Sequence, residues 1–286
     1  GAEFPPSQTK VRGILPQSGG GGQGPLVPYR SPSPKFSRNI LVTRDFSRVP
    51  FQTEPHLAVD PKDPEHLILG VIDYNFPGVT TYNSIDGGAT WKGPSQVKYP
   101  ADDLGAAGDP VIAFDRNGTA YIAQISVDIE EFTVRNVVGD SSVTSIPIAR
   151  SKDGGITWSE PIVAADSHID TSPAVEDADG RTTYEVLIPF LDKPWVAIGP
   201  SKENPEKDII YVTYTKFLTR YPLFFLFDVE AFQLVPTTET SIELVKSEDG
   251  GLTWSEPVTI SDIVTSTLGE DQTKRVVQGS QPGVAP

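Results

Sequence analysis

Three short segments of the chain set a carboxylate just ahead of a proline: Glu54-Pro55, Asp109-Pro110 and Asp192-Lys193-Pro194. Carboxylate oxygens are hard ligands and good hydrogen-bond acceptors. If the fold gathers Glu54, Asp109 and Asp192, they favour a hard cation such as calcium, or a polar substrate. Taken singly, each caps its own strand or bonds a neighbouring loop. A denser acidic stretch, Glu176-Asp177-Ala178-Asp179-Gly180, adds Asp177 and Asp179 as oxygen ligands, although Val175 and Val186 stand where an EF-hand loop needs its outer ligands. Composition removes other chemistry. With no cysteine and three histidines in 286 residues, there is no thiolate metal site, no disulfide framework and no cysteine nucleophile.

The charge balance narrows the partners. Thirty-eight acidic side chains against 23 basic ones leave a formal charge of −15, which repels phosphate backbones and anionic lipid, so no nucleic-acid partner is expected. The longest aliphatic or aromatic run, Leu223 to Phe227, is far short of the roughly 20 residues that span a bilayer. Twenty-five Gly and 27 Pro suit a turn-rich β protein. Residues 1–35 hold 14 of these and read as an extended leader, with residues 36–286 as the folded domain. With no methionine anywhere, the chain reads as a processed or partial product.

The elements that position the acids are announced by repetition. The pattern S-x-D-G-G-x-T-W occurs from Ser84 to Trp91, from Ser151 to Trp158 and from Ser247 to Trp254. Asp86, Asp153 and Asp249 accept hydrogen bonds from amides just after them, the glycine pairs supply positive φ, and Thr and Trp resume a strand. Each box is thus a tight hairpin, and Trp91, Trp158 and Trp254 are expected to bury their rings between sheets. Upstream of each box lie an acid-Pro strand and a second strand: His66 to Tyr74, Thr119 to Val127, Ile209 to Lys216. The unit is four antiparallel strands, and the fold class is all-β, a β-propeller with three full blades. The stretch from Gln278 to Pro286 reads as the opening strand of a fourth blade, with Gln281 in the acid's place. The remaining blades are expected on another segment.

These boxes resemble the Asp-boxes of the sialidase-like, or bacterial neuraminidase repeat, propellers, and with Glu54-Pro55, Gly108-Asp109-Pro110 and Asp192-Lys193-Pro194-Trp195 the chain is similar to a secreted bacterial branch of that family over roughly residues 50–286. The resemblance implies a secreted or cell-surface protein that binds glycan or protein through its loop face. Two alternatives accompany it: a glycoside hydrolase completed by blades absent from this chain, and a structural subunit of an extracellular assembly. Sialidases use an arginine triad, an aspartate acid/base and a tyrosine nucleophile assisted by a glutamate. Arg48-Val49-Pro50 is similar to their Arg-Ile-Pro motif, and Asp73 matches an acid at the end of a second strand. Arg48 alone makes no triad.

Strand parity locates the working face. In an up-and-down blade the boxes, as third-to-fourth strand turns, lie opposite the second-to-third strand turns. Box-to-box spacings of 67 and 96 residues exceed the roughly 40 to 50 of a compact blade. The excess is expected as long loops, Asp128 to Ser145, Ala164 to Leu191 and Phe217 to Thr240, on the face where Glu54, Asp109 and Asp192 meet around a channel mouth. The apolar run from Tyr221 to Phe227 lies in the third of these, and either docks a partner or packs on its own domain.

Overall fold

The computed structural model describes residues 40–43, 48–76, 78–176, 182–226, 230–267 and 276–285. The chain divides into Gly1–Ile40 and Leu41–Pro286, and the second unit carries every strand described below. The leader expectation for residues 1–35, and the ligand expectation for Asp177 and Asp179, fall outside the described residues.

The described residues form sixteen strands. β1 (Gln52–Asp60), β2 (Asp63–Asp73), β3 (Gly78–Ser84) and β4 (Lys92–Gln96) make a first antiparallel sheet in that order. β5 (Gly105–Phe114), β6 (Ala120–Val134), β7 (Val137–Ser151) and β8 (Ile162–Ala165) make a second. The third sheet has eight strands. Its main path is β10 (Val175–Glu176), β11 (Thr182–Pro200), β12 (Asp208–Leu226), β14 (Thr237–Ser247) and β15 (Val258–Thr259). β9 (Asp170–Thr171), β13 (Glu230–Gln233) and β16 (Val264–Thr267) attach to β11, β12 and β14. Four strands per unit therefore describes two of the three sheets.

Period-two alternation explains the layering. In β6, Ile122 and Gln124 face the first sheet while Tyr121 and Ala123 serve the second-to-third sheet core, so both faces of this strand are buried. One apolar cluster, including Ile68, Val79, Ile112 and Ile122, joins the first two sheets. A second, including Val111, Ile148, Val196 and Val212, joins the second and third.

The long loops expected from the box spacings are strands. Asp128 to Ser145 is a hairpin continuing β6 and β7, paired from Asp128↔Val143 to Val134↔Val137. Most of Phe217 to Thr240, and the end of Ala164 to Leu191, extend β11, β12 and β14 in continuous register from Thr183↔Phe224 to Leu191↔Lys216. Alternating residues such as Val127, Ile129 and Glu131 against Asp128 and Glu130 carry a ladder as readily as a loop. The apolar run packs down on the domain. Leu223 and Phe225 join Val134 and Val186 in a third core cluster, and the Arg135 guanidinium lies 5.3 Å from the Phe225 ring. Phe227 lies outside the described residues.

Residues 276–285 form no ladder. They lie along the third sheet, where Ser280 Oγ donates to Thr213 Oγ1 at 2.8 Å and Val284 fills the space beside Gly199.

Candidate functional site

Two ends of the sheets are chemically distinct. At one end stand the boxes, each closed by the same bonds. Ser84 Oγ donates to Asp86 Oδ1 at 2.8 Å and accepts from Gly88 N at 2.9 Å, while Thr90 donates its N–H and hydroxyl to the two Asp86 oxygens. Ser151, Asp153 and Thr157 repeat this, as do Ser247, Asp249 and Thr253. All three aspartates are spent on their own turns. Thr90 bonding holds the Asp86 carboxyl down to about 2.

The tryptophans differ in what they meet. Trp158 donates its indole N–H to Thr81 Oγ1 of the preceding sheet at 2.9 Å, and Gly155, at φ 82°, sits so close to Ile68 that a Cβ would fall 2.8 Å from it. Trp254 packs into the core shared with the second sheet, its N–H buried without a partner. Trp91 turns its N–H back to Gly88 O at 3.0 Å.

At the opposite end, β1, β5 and β11 share a register break at their proline, between Thr53 and His56, between Gly108 and Val111, and between Asp192 and Trp195. The cause is the proline, which has no N–H for the ladder. In each bulge the residue before proline takes φ 51°: Glu54, Asp109 and Lys193. Three non-glycine residues in this strained region at one repeated address mark a site. The acid-Pro alignment is thereby corrected in its third copy, because Lys193, not Asp192, is the equivalent of Glu54 and Asp109.

These residues converge. A cavity of about 320 Å³ is lined by the same three-residue step of each repeat, Glu54 to His56, Asp109 to Val111 and Lys193 to Trp195, together with Gly279, Ser280 and Gln281. Lys193 Nζ donates to Asp109 Oδ1 at 2.5 Å and stands 3.4 Å from Glu54 Oε1. Asp192 lies beside Asp109 and accepts from Gln278 Nε2 at 2.6 Å. Hydrogen bonding to Asp109, then burial, pushes the Glu54 carboxyl up. Burial, then Asp109, does the same to Asp192. Burial opposes ionisation of Asp109, but its bonds with Glu54 and Lys193 outweigh this and hold it down.

The cluster does not fit calcium, because the ammonium of Lys193 holds the position between the carboxylates. Among the described residues no group of three or more His, Cys, Asp or Glu is arranged to hold a metal ion.

Two wall residues share a repeat position whose residue type is not itself repeated. His56 and Trp195 each follow the proline of their copy, and their rings meet edge-on at 5.2 Å and 84°. His56 Nδ1 accepts the Ile112 N–H at 3.1 Å, and burial pushes the imidazole pKa down. The position after each proline is the sequence signal that finds both.

The sialidase-like pair is not assembled. Arg48 is exposed, whereas Asp73 is 2% exposed and accepts from Gln52 Nε2 at 3.0 Å and Asn75 N at 3.0 Å. No ion pair joins them. A second cleft of about 260 Å³, between the second and third sheets, is lined in part by Asp166, His168, Lys216 and Glu243. Its charges are mutually engaged. His168 bonds Glu130 at 2.6 Å, while Lys216 and the buried Tyr214 hydroxyl both donate to Glu243. Burial, then Glu243, holds the Tyr214 phenol far above its ordinary pKa, so it stays neutral and serves as a fixed donor to Glu243.

The BNR/Asp-box repeat family model matches residues 149–160, the second box with its flanks. The chain carries a BNR/Asp-box repeat. No curated protein matches it in sequence. Among solved structures it is similar to the Hadza microbial sialidase Hz136, at 14% identity and a TM-score of 0.31, over 72% of this chain and 57% of that one. The chain thus spans little more than half of that sialidase. It is also similar to a protein of unknown function from Dyadobacter fermentans DSM 18053, at 14% identity and TM-score 0.33, covering 73% and 68%. A third is the Penicillium chrysogenum α-L-arabinanase complexed with arabinobiose, at 15% identity and TM-score 0.34, covering 72% and 80%. Among the described residues no helix is long and apolar enough to cross a membrane.

Proposed function

We propose that the chain is a sialidase-like β-propeller module, secreted or displayed at a cell surface, that binds glycan in the cavity where its first strands converge. The observation that carries this reading is the common address of the lining: the same step of three successive repeats supplies nine of its twelve residues, at the end opposite the boxes. Carboxylate acceptors, an ammonium, an imidazole and the Trp195 indole together match the alternating hydroxyls and C–H faces of a sugar. Binding rather than hydrolysis is favoured, because Asp73 is buried and already bonded while Arg48 stands apart from it.

Further blades complete the ring in this reading. Leu57 in β1 occupies the register of Ile112 in β5 and Val196 in β11, both packed against the preceding sheet, yet Leu57 is 51% exposed. That face takes another sheet of the same repeat. The test of the binding reading is an array of immobilised glycans probed with the full chain and with Trp195→Ala. The expected result is binding by the former that the latter loses; no binding to any glycan would refute it.

A further inference from the structure

We infer that the cavity at Lys193 selects uncharged sugars and rejects acidic ones, with the His56 imidazole as its neutral hydrogen-bond donor. This rests on the reading of the cavity as a glycan site. Glu54 and Asp109 line the cavity and Asp192 stands behind them beside Asp109, so among the described residues three carboxylates face one lining ammonium, and that ammonium is committed to Asp109 at 2.5 Å. Among the described residues no arginine lines the cavity, so none of them offers the planar, two-pronged grip that a sugar carboxylate needs. An acidic sugar would therefore meet like charge with no unspent cation.

A neutral sugar meets acceptors and one fixed donor. Because His56 Nδ1 is occupied by the Ile112 N–H, the neutral ring carries its proton on Nε2, and among the described residues no group accepts it. The edge-on contact with Trp195 holds the ring plane, so the donor does not rotate away. Glu54 accepts from ligand hydroxyls, Asp192 adds its negative charge from beside Asp109, and Pro55, Pro110 and Pro194 offer apolar surface to the ring's C–H faces.

The test is an array carrying matched neutral and acidic glycans, lactose beside 3′-sialyllactose among them, probed with the full chain and its variants. Wild type is expected to bind neutral members at least tenfold better than their acidic counterparts. Glu54→Gln with Asp192→Asn should narrow that gap at least tenfold; Glu54→Gln alone, at a half-exposed side chain, gives the same direction if the double variant folds poorly. His56→Leu should lose neutral binding about tenfold, and His56→Gln, which keeps an N–H donor, should restore it. Acidic glycans bound as well as neutral ones overturn the selectivity and leave the glycan reading standing, whereas silence across the array overturns both. His56→Leu binding like wild type removes the imidazole from the mechanism.

Discussion

Trp158 donates its indole N–H across a sheet boundary, at 2.9 Å, to Thr81, which stands three residues before the first box serine. The same position in the second sheet is Ile148, three before Ser151, and it offers no acceptor. That single exchange accounts for the buried, unpartnered N–H of Trp254. Two boxes of the same sequence pattern are thus docked with different completeness.

Removing a satisfied buried donor costs more than removing an orphan. Trp158→Phe should therefore destabilise the chain by about 1 kcal/mol more than Trp254→Phe. Ile148→Thr should couple favourably to Trp254, by about 1 kcal/mol in a double-mutant cycle, and lose that coupling in the Trp254→Phe background. Urea titrations of the four variants measure this. Equal costs for the two tryptophans would contradict the assignment.

The boxes also set an acid limit. Bonds from Thr90 hold Asp86 down to about 2, bonds from Thr253 depress Asp249, and at the exposed Asp153 slight desolvation is outweighed by the Thr157 bonds that lower it. A carboxyl depressed in the folded state stabilises it fully above the ordinary value of 3.8, and that contribution disappears as pH falls through the folded value. Thermal melts should thus hold steady down to about pH 4 and then drop between about pH 4 and 2. Asp86→Asn with Asp249→Asn should flatten that drop. A variant profile parallel to wild type would show that the boxes are not its source.

The boxes are legible in the sequence because five of their six fixed residues act locally, the serine, aspartate and threonine bonding within four positions and the glycines taking positive φ. The strand extensions are not. Their pairing from Asp128↔Val143 to Val134↔Val137 depends on partners no local pattern names, and the acids within them read as solvated loop. The cavity lies between these cases. Its acids stand out by type, but the third copy is misaligned by one residue, since Asp192 has the right chemistry and Lys193 the right backbone. His56 has no repeat to announce it, as its counterparts are Val111 and Trp195.

Equivalent positions should respond unequally to truncation. Ile112 is 3% exposed between two sheets, whereas Leu57, in the same register, is half in solvent. Ile112→Ala should cost about 2 to 5 kcal/mol, and Leu57→Ala less than about 1 kcal/mol, in this chain alone. Supplying the sheet that covers this face should raise the cost of Leu57→Ala towards that of Ile112→Ala. A costly Leu57→Ala in the uncovered chain would mean that the face is already occupied.

Lys193 is the last determinant, because it is the one cation among the described residues that pairs with the carboxylates around it. Replacing it with Met leaves Asp109, 11% exposed, without its ammonium and leaves its repulsion of Glu54 and of Asp192 without a counter-charge. Lys193 and Glu54 are both nearly half exposed, so solvent screening keeps the cost at neutral pH to about 1 kcal/mol. Glu54 and Asp192 already have raised pKa values, and a group raised in the folded state relieves its penalty as pH falls through that value. The stability deficit of Lys193→Met should therefore be largest at about pH 7 to 8 and shrink towards about pH 5, while Lys193→Arg should show little deficit at any pH. A deficit independent of pH would assign Lys193 a packing role and remove its charge from the account of the cavity.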